Sequence, residues 1–119
     1  LKREKNIQII ESKSKNLMNS YYCFQILLKK NIFKFRDELI LFLKRKGIGT
    51  SIYYPKPVPK MKYYKEKYKI DKNQYKNAEI ISKGSISIPI HPGINLKDLN
   101  YIYITINQFL KKLWKKKKY

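Results

Sequence analysis

The sequence predicts an α+β domain: a small antiparallel-type sheet of about three strands with helices packed on one face. Segments of two-residue apolar alternation interleave with segments of 3.6-residue period, in the order strand, helix, strand, short helix, strand, helix. Glycines and a capping residue punctuate the helical segments, and a proline cluster interrupts the chain near its middle. With 119 residues, 43% hydrophobic and 30% charged, the chain can fill one modest core and is too apolar to be disordered.

Residues 1–19 are polar and lysine-rich, with Ile7, Ile9 and Ile10 fitting neither period, and are expected to be a helix remnant leading into a loop. Residues 20–28 place Tyr22, Phe24, Ile26 and Leu28 on one face and Tyr21, Cys23, Gln25 and Leu27 on the other, the pattern of a strand inside a sheet. Residues 35–46 repeat Phe35, Leu39, Phe42 and Leu43 along one helical face. Asp37 and Glu38 complement the start of that helix and Lys44, Arg45 and Lys46 its end, before Gly47 closes it in a left-handed conformation. A short strand over 49–54 is expected to stop at Pro55, Pro57 and Pro59, which lack amide donors.

Residues 60–77 suit a short helix or surface loop, and 77–83 a brief helix ended by Gly84. Ile86, Ile88 and Ile90 then alternate with Ser85, Ser87 and Pro89 as a half-buried strand with its end or edge at Pro89. The last helix has Asn95 as N-cap, Asp98 three residues on, and an apolar stripe of Leu99, Ile102, Ile106, Phe109, Leu110 and Leu113. This organisation gives a leading segment 1–19, a domain 20–114 and a lysine-rich tail 115–119. The terminal run from Lys115 onward is expected to be frayed and solvated.

The formal charge of +20 would ordinarily raise nucleic acid or an anionic membrane as partner. The composition offers another cause. Lys, Ile, Asn and Tyr make up 63 of the 119 residues while Ala78 and Val58 stand alone, the bias of an AT-rich coding sequence. Lysine outnumbers arginine 25 to 3, although arginine is preferred for bidentate phosphate and base contacts, so nucleic acid is not the expected partner. A stand-alone basic nucleic-acid module, or a gene remnant without function, is the rival reading. No run approaches the roughly 20 apolar residues of a membrane span, and the start at Leu1 reads as a soluble, truncated sequence. Cys23 sits in an apolar run and is expected to be buried and structural. His91 lacks a second histidine or a cysteine cluster, so a loop position is expected and no metal site is drawn.

Four blocks carry a family resemblance: Ser20-Tyr21-Tyr22-Cys23-Phe24, Arg36-Asp37-Glu38-Leu39, Gly47-Ile48-Gly49-Thr50-Ser51 leading to Tyr53-Tyr54-Pro55, and Ser85-Ile86-Ser87-Ile88-Pro89-Ile90-His91-Pro92. In their order they resemble the C-terminal small domain of the DegT/DnrJ/EryC1/StrS family of pyridoxal-phosphate-dependent sugar aminotransferases. The resemblance implies the small domain of a fold-type I transferase, a nucleotide-linked keto sugar as substrate, glutamate as amino donor, and a cytoplasmic homodimer serving polysaccharide or glycoside biosynthesis. It also implies that the Schiff-base lysine and the main cofactor contacts belong to a larger N-terminal domain, so no catalytic residue is assigned here and the fragment alone is expected to be inactive.

The aromatic-Tyr-Pro turn resembles the place where the family's small domain meets the sugar nucleotide, which makes Tyr53 and Tyr54 the candidate substrate-binding residues. Phenolic hydroxyls suit sugar or diphosphate oxygens, although both rings could merely cover the sheet end. Lys56 and Lys60, both in second rank, flank that turn and could meet a diphosphate, whereas a solvated surface charge is the commoner role of such lysines. Many family members have histidine at the positions of Tyr53 and Pro59.

Overall fold

The computed structural model describes residues 1, 4–12, 14–71 and 74–116. Strand β1 (Ile7–Ile9), strand β2 (Phe24–Leu28) and strand β3 (Ser85–Ile88) form one antiparallel sheet in the order β1-β2-β3. Ile9 pairs with Ile26, Ile26 with Ile86, and Phe24 with Ile88. Because side chains alternate along a strand, this register gathers the odd-numbered isoleucines of β1 and the even-numbered apolar residues of β2 and β3 on one face.

Helix α1 (Arg36–Arg45) and helix α4 (Leu96–Lys116) cover that face. Leu39 and Leu43 of α1, and Ile102, Ile106, Phe109, Leu110 and Leu113 of α4, join Ile26, Leu28 and Ile86 in one buried cluster. Phe42 and Phe109 meet between the helices with ring centroids 5.5 Å apart, and the Lys112 ammonium lies over the Phe42 ring. The predicted layer of helices on a three-stranded sheet is therefore present. Two short elements, α2 (Lys62–Lys67) and α3 (Lys76–Gly84), follow the proline turn. A 3-10 turn over Lys30–Phe35, which the sequence did not signal, feeds α1.

Local chemistry sets the helix ends. Gly47 has φ of +74°, its amide donates to the Lys44 carbonyl at 3.0 Å, and the Ile48 amide donates to the Leu43 carbonyl at 2.9 Å. This is a Schellman closure, with Ile48 and Leu43 both buried beside it. At the start of α4 the Asn95 side chain accepts from the amides of Lys97 and Asp98 at 2.8 and 3.0 Å, and Asp98 accepts from the Asn95 amide at 3.1 Å. The predicted cap is thus a reciprocal capping box. At the α3–β3 junction a Cβ on Gly84 would overlap the Phe33 ring and crowd Leu27, so only glycine lets the helix end close to β2.

Five expectations need correction. Residues 1–19, read as a helix remnant and loop, supply edge strand β1, because pairing with β2 buries Ile7 where neither local period could signal it. The strand read over 20–28 begins only at Phe24: Tyr21 has φ of +50° and its amide donates to the Asn19 side chain at 3.0 Å, an Asx turn that ends extension. The strand read over 49–54 is reduced to a single bridge, Ser51 to Ser87. Leu99, placed on the apolar stripe, is 48% exposed, while Thr105 is buried through its hydroxyl bond to the Tyr101 carbonyl at 2.7 Å. β3, expected to be half-buried, is buried at all four positions. The lysine tail falls partly outside the described residues, and α4 itself continues through Lys116.

Replacing Gly47 by alanine puts a Cβ on a left-handed residue with nothing else to clash, so the expected loss is about 1 kcal/mol of unfolding free energy. Ile26→Ala, at a fully buried position, should cost about 2–5 kcal/mol. Urea unfolding followed by circular dichroism ranks the two, and equal losses would remove the central role assigned to β2.

Candidate functional site

The Schellman closure sends the chain from Gly47 back toward β3. There the Ser51 amide donates to the Ser87 carbonyl at 3.1 Å and the Ser87 amide to the Ser51 carbonyl at 2.8 Å. Two residues later, the Gln25 side-chain amide donates to the Tyr53 carbonyl at 3.1 Å, tying the turn to β2. The Tyr53–Tyr54 peptide bond is cis, and the two rings meet edge to face with centroids 5.9 Å apart. Tyr53 is 44% exposed and Tyr54 67%.

Tyr53 lines a cleft of about 380 Å³ together with Tyr22, Cys23, Thr50, Ser51 and Ser87, closed along one side by Ile88, Pro89 and Ile90. Cys23 is therefore half-buried at a cleft wall and not in the core, a correction to its expected burial. The Ser85 and Ser87 hydroxyls are buried and make no hydrogen bond to the protein. The described cleft lining offers hydroxyls, a thiol and aromatic faces, and includes no Lys, Arg, Asp or Glu. Such a surface can hydrogen-bond a neutral hydroxylated group and pack a ring against it. It does not fit the whole of a cofactor that needs a lysine for its aldehyde and a carboxylate for its pyridine nitrogen.

The structure does not bring Lys56 to that cleft. Lys56 lines a separate depression of about 170 Å³ with Pro55, Pro57, Lys60, Lys65, Lys83 and Glu79. The Lys60 ammonium pairs with Glu79 Oε1, and the Lys83 ammonium lies 3.9 Å from Oε2. Lys60 is thus held in an ion pair that anchors the proline turn to α3. The Glu79 carboxyl is held below its ordinary value, first by the Lys60 hydrogen bond, opposed by partial desolvation, and further by the charges of Lys60 and Lys83. His91 is exposed in the turn before α4, where its carbonyl accepts from the Ile94 amide at 3.1 Å.

Sequence reasoning passed over two residues that position the site. Gln25 was legible as the lone amide in an apolar strand, but its partner, the Tyr53 carbonyl, lies 28 residues away. Arg36 donates from Nη1 to the Ser82 carbonyl at 2.6 Å and from Nε to Asp37 at 3.0 Å, so the Arg-Asp pair that opens α1 joins it to α3. Among the described residues no His, Cys, Asp and Glu cluster could hold a metal ion, and no helix is long and apolar enough to cross a membrane.

The sheet, its two covering helices and the aromatic turn define the α+β small domain of a transferase-type fold. TlmJ, an aminotransferase from Streptoalloteichus hindustanus, shares it at TM-score 0.77 and 17% identity over 95% of this chain and 28% of that one. Spr1654 from Streptococcus pneumoniae, solved in apo and PMP forms, shares it at TM-score 0.83 and 21% identity over 99% of this chain and 29% of that one. At these identities the likeness is one of fold. The chain belongs to the DegT/DnrJ/EryC1/StrS aminotransferase family, whose model matches residues 1–107. A Campylobacter jejuni relative, UDP-4-amino-4,6-dideoxy-N-acetyl-beta-L-altrosamine transaminase, is 31% identical over 82% of this chain. A Geobacillus stearothermophilus pleiotropic regulatory protein is 35% identical over 62%. The chain spans about a quarter of the length of the first of these curated relatives and a fifth of the second, 25% and 20%.

Because the folded-state pKa of Glu79 is depressed, its contribution to stability is complete above its ordinary value of 4.5 and is lost as pH falls through the lower folded value. Unfolding midpoints in urea from pH 7 to pH 3 should fall more steeply below about 4.5 in the native chain than in Glu79→Gln. Parallel curves would show that the Lys60 pair does not stabilise the turn.

Proposed function

We propose that this chain is the C-terminal small domain of a pyridoxal-phosphate-dependent aminotransferase that moves an amino group from glutamate to a nucleotide-linked keto sugar. The family match over residues 1–107 carries the reading. The substrate class is drawn from the Campylobacter jejuni relative, named as a transaminase of a UDP-linked amino sugar. Pyridoxal phosphate, when bound, supplies the electron sink through which the nitrogen is exchanged. In this reading the lysine that holds it belongs to the remainder of the enzyme.

In this reading the chain's own residues bind and orient the sugar. Tyr53 and Tyr22 present ring faces to its apolar side, while the hydroxyls of Tyr53, Thr50 and Ser51 meet its oxygens. Lys56 lies across the turn, in a lysine-rich depression suited to the diphosphate. Tyr54, the more exposed ring, faces the bulk of the sugar nucleotide or the remainder of the enzyme. The working enzyme is a cytoplasmic homodimer in polysaccharide or glycoside biosynthesis, and this chain alone does not catalyse transamination.

The complete protein should show the absorbance of a lysine-bound cofactor, bleached on adding glutamate, and no such band rejects the reading. In that protein Tyr53→Phe removes one hydroxyl hydrogen bond and should raise KM for the sugar nucleotide roughly three- to tenfold with kcat unchanged. An unchanged KM takes Tyr53 out of the site, and unchanged kinetics in Tyr54→Phe does the same for Tyr54.

A further inference from the structure

The turn that carries Tyr53 is not held by burial: none of residues 51–57 is buried, and Ile48 is the last core residue before it. On its N-terminal side the turn hangs from the Ser51–Ser87 bridge, and beyond it the chain is next fixed where Lys60 pairs with Glu79. Between these points the Gln25 side chain makes the only hydrogen bond to residues 52–56 among the described residues. The sheet register lets it reach. Gln25 pairs with Ser87 across β2 and β3, Ser87 in turn bridges Ser51, and paired residues project from the same face, so the amide stretches past Ser87 to the Tyr53 carbonyl. Asparagine would fall short by one methylene.

We infer that Gln25 is a positioning residue for sugar binding: its amide fixes the backbone at Tyr53 and thereby the angle at which the Tyr53 ring and hydroxyl enter the cleft. The inference rests on the reading of that cleft as the sugar site. Gln25 is not among the residues lining the cleft, so it acts through Tyr53 and touches no substrate. On a strand whose other residues are Phe24, Ile26, Leu27 and Leu28, a half-buried amide is unfavourable without a partner, and the Tyr53 carbonyl supplies one. A ligand that needs Tyr53 in one place would otherwise have to order residues 52–56 as it binds, which weakens binding. The Gln25 bond moves that ordering into the folding of the domain.

Gln25→Met keeps the length of the side chain and removes its donor, whereas Gln25→Lys keeps a donor that can reach the same carbonyl. In the complete protein Gln25→Met should raise KM for the sugar nucleotide roughly two- to tenfold with kcat unchanged, and Gln25→Lys should hold KM within about twofold of the native value. Without substrate, amide hydrogen exchange at Ser51, whose N–H is bonded to the Ser87 carbonyl, should quicken by a similar factor in Gln25→Met and not in Gln25→Lys. Native exchange in Gln25→Met overturns the inference. So does a native KM in Gln25→Met when Tyr53→Phe raises KM, and so does a loss of kcat shared by both Gln25 variants, the mark of a structural role alone. Faster exchange at Ser51 in a protein whose KM does not respond to Tyr53→Phe keeps Gln25 as the holder of the turn and rejects the sugar-site reading alone.

Discussion

Strand β2 runs between two neighbours, and its Ile26 and Leu28 must be buried beneath helices that the chain supplies only later. Each such side chain contributes about 1.5–3 kcal/mol when withdrawn from water. Leu39 and Leu43 from α1, and Ile106 from α4, are fully enclosed against them, so the long helices are oriented by the strand they cover. The position of α1 then sets where Gly47 turns, which sets where Ser51 meets Ser87, which places Tyr53. A site residue on an otherwise weakly structured segment is thus located by a chain of contacts that begins in the core.

Two surfaces flank the proline turn and differ in chemistry. On one side hydroxyls and rings gather with no Lys, Arg, Asp or Glu among the described lining residues; on the other, four lysines line a depression with Glu79. The carboxylate ties down Lys60 and faces Lys83, which offsets part of the repulsion that so many ammonium groups would create around one loop. Most of the chain's excess charge needs no such partner because water screens exposed lysines. The +20 charge therefore says little about function.

The periodic elements were legible. α1, β3 and α4 were readable from spacing, and Gly47 and Asn95 from residue type, because caps and apolar stripes are local requirements of helical geometry. The edge strand β1 was not legible: three residues give no period, and Ile7 is buried only because β2 lies beside it. Leu99 shows the converse, a residue at helical spacing that stays exposed. Tyr53 and Tyr54 could be singled out from the turn they occupy, but not which of them enters the cleft.

By itself the sequence determined the class of fold, the ends of its main helices and the segment in which a site could form, since each depends on residues within a few positions of one another. Only the tertiary structure decided that Gln25 holds the Tyr53 turn, and that Lys60 is committed to Glu79 while Lys56 falls outside the tyrosine cleft. The reason is physical: hydrogen bonds, ion pairs and shared burial depend on distance in space, and these partners are brought together only when the core closes.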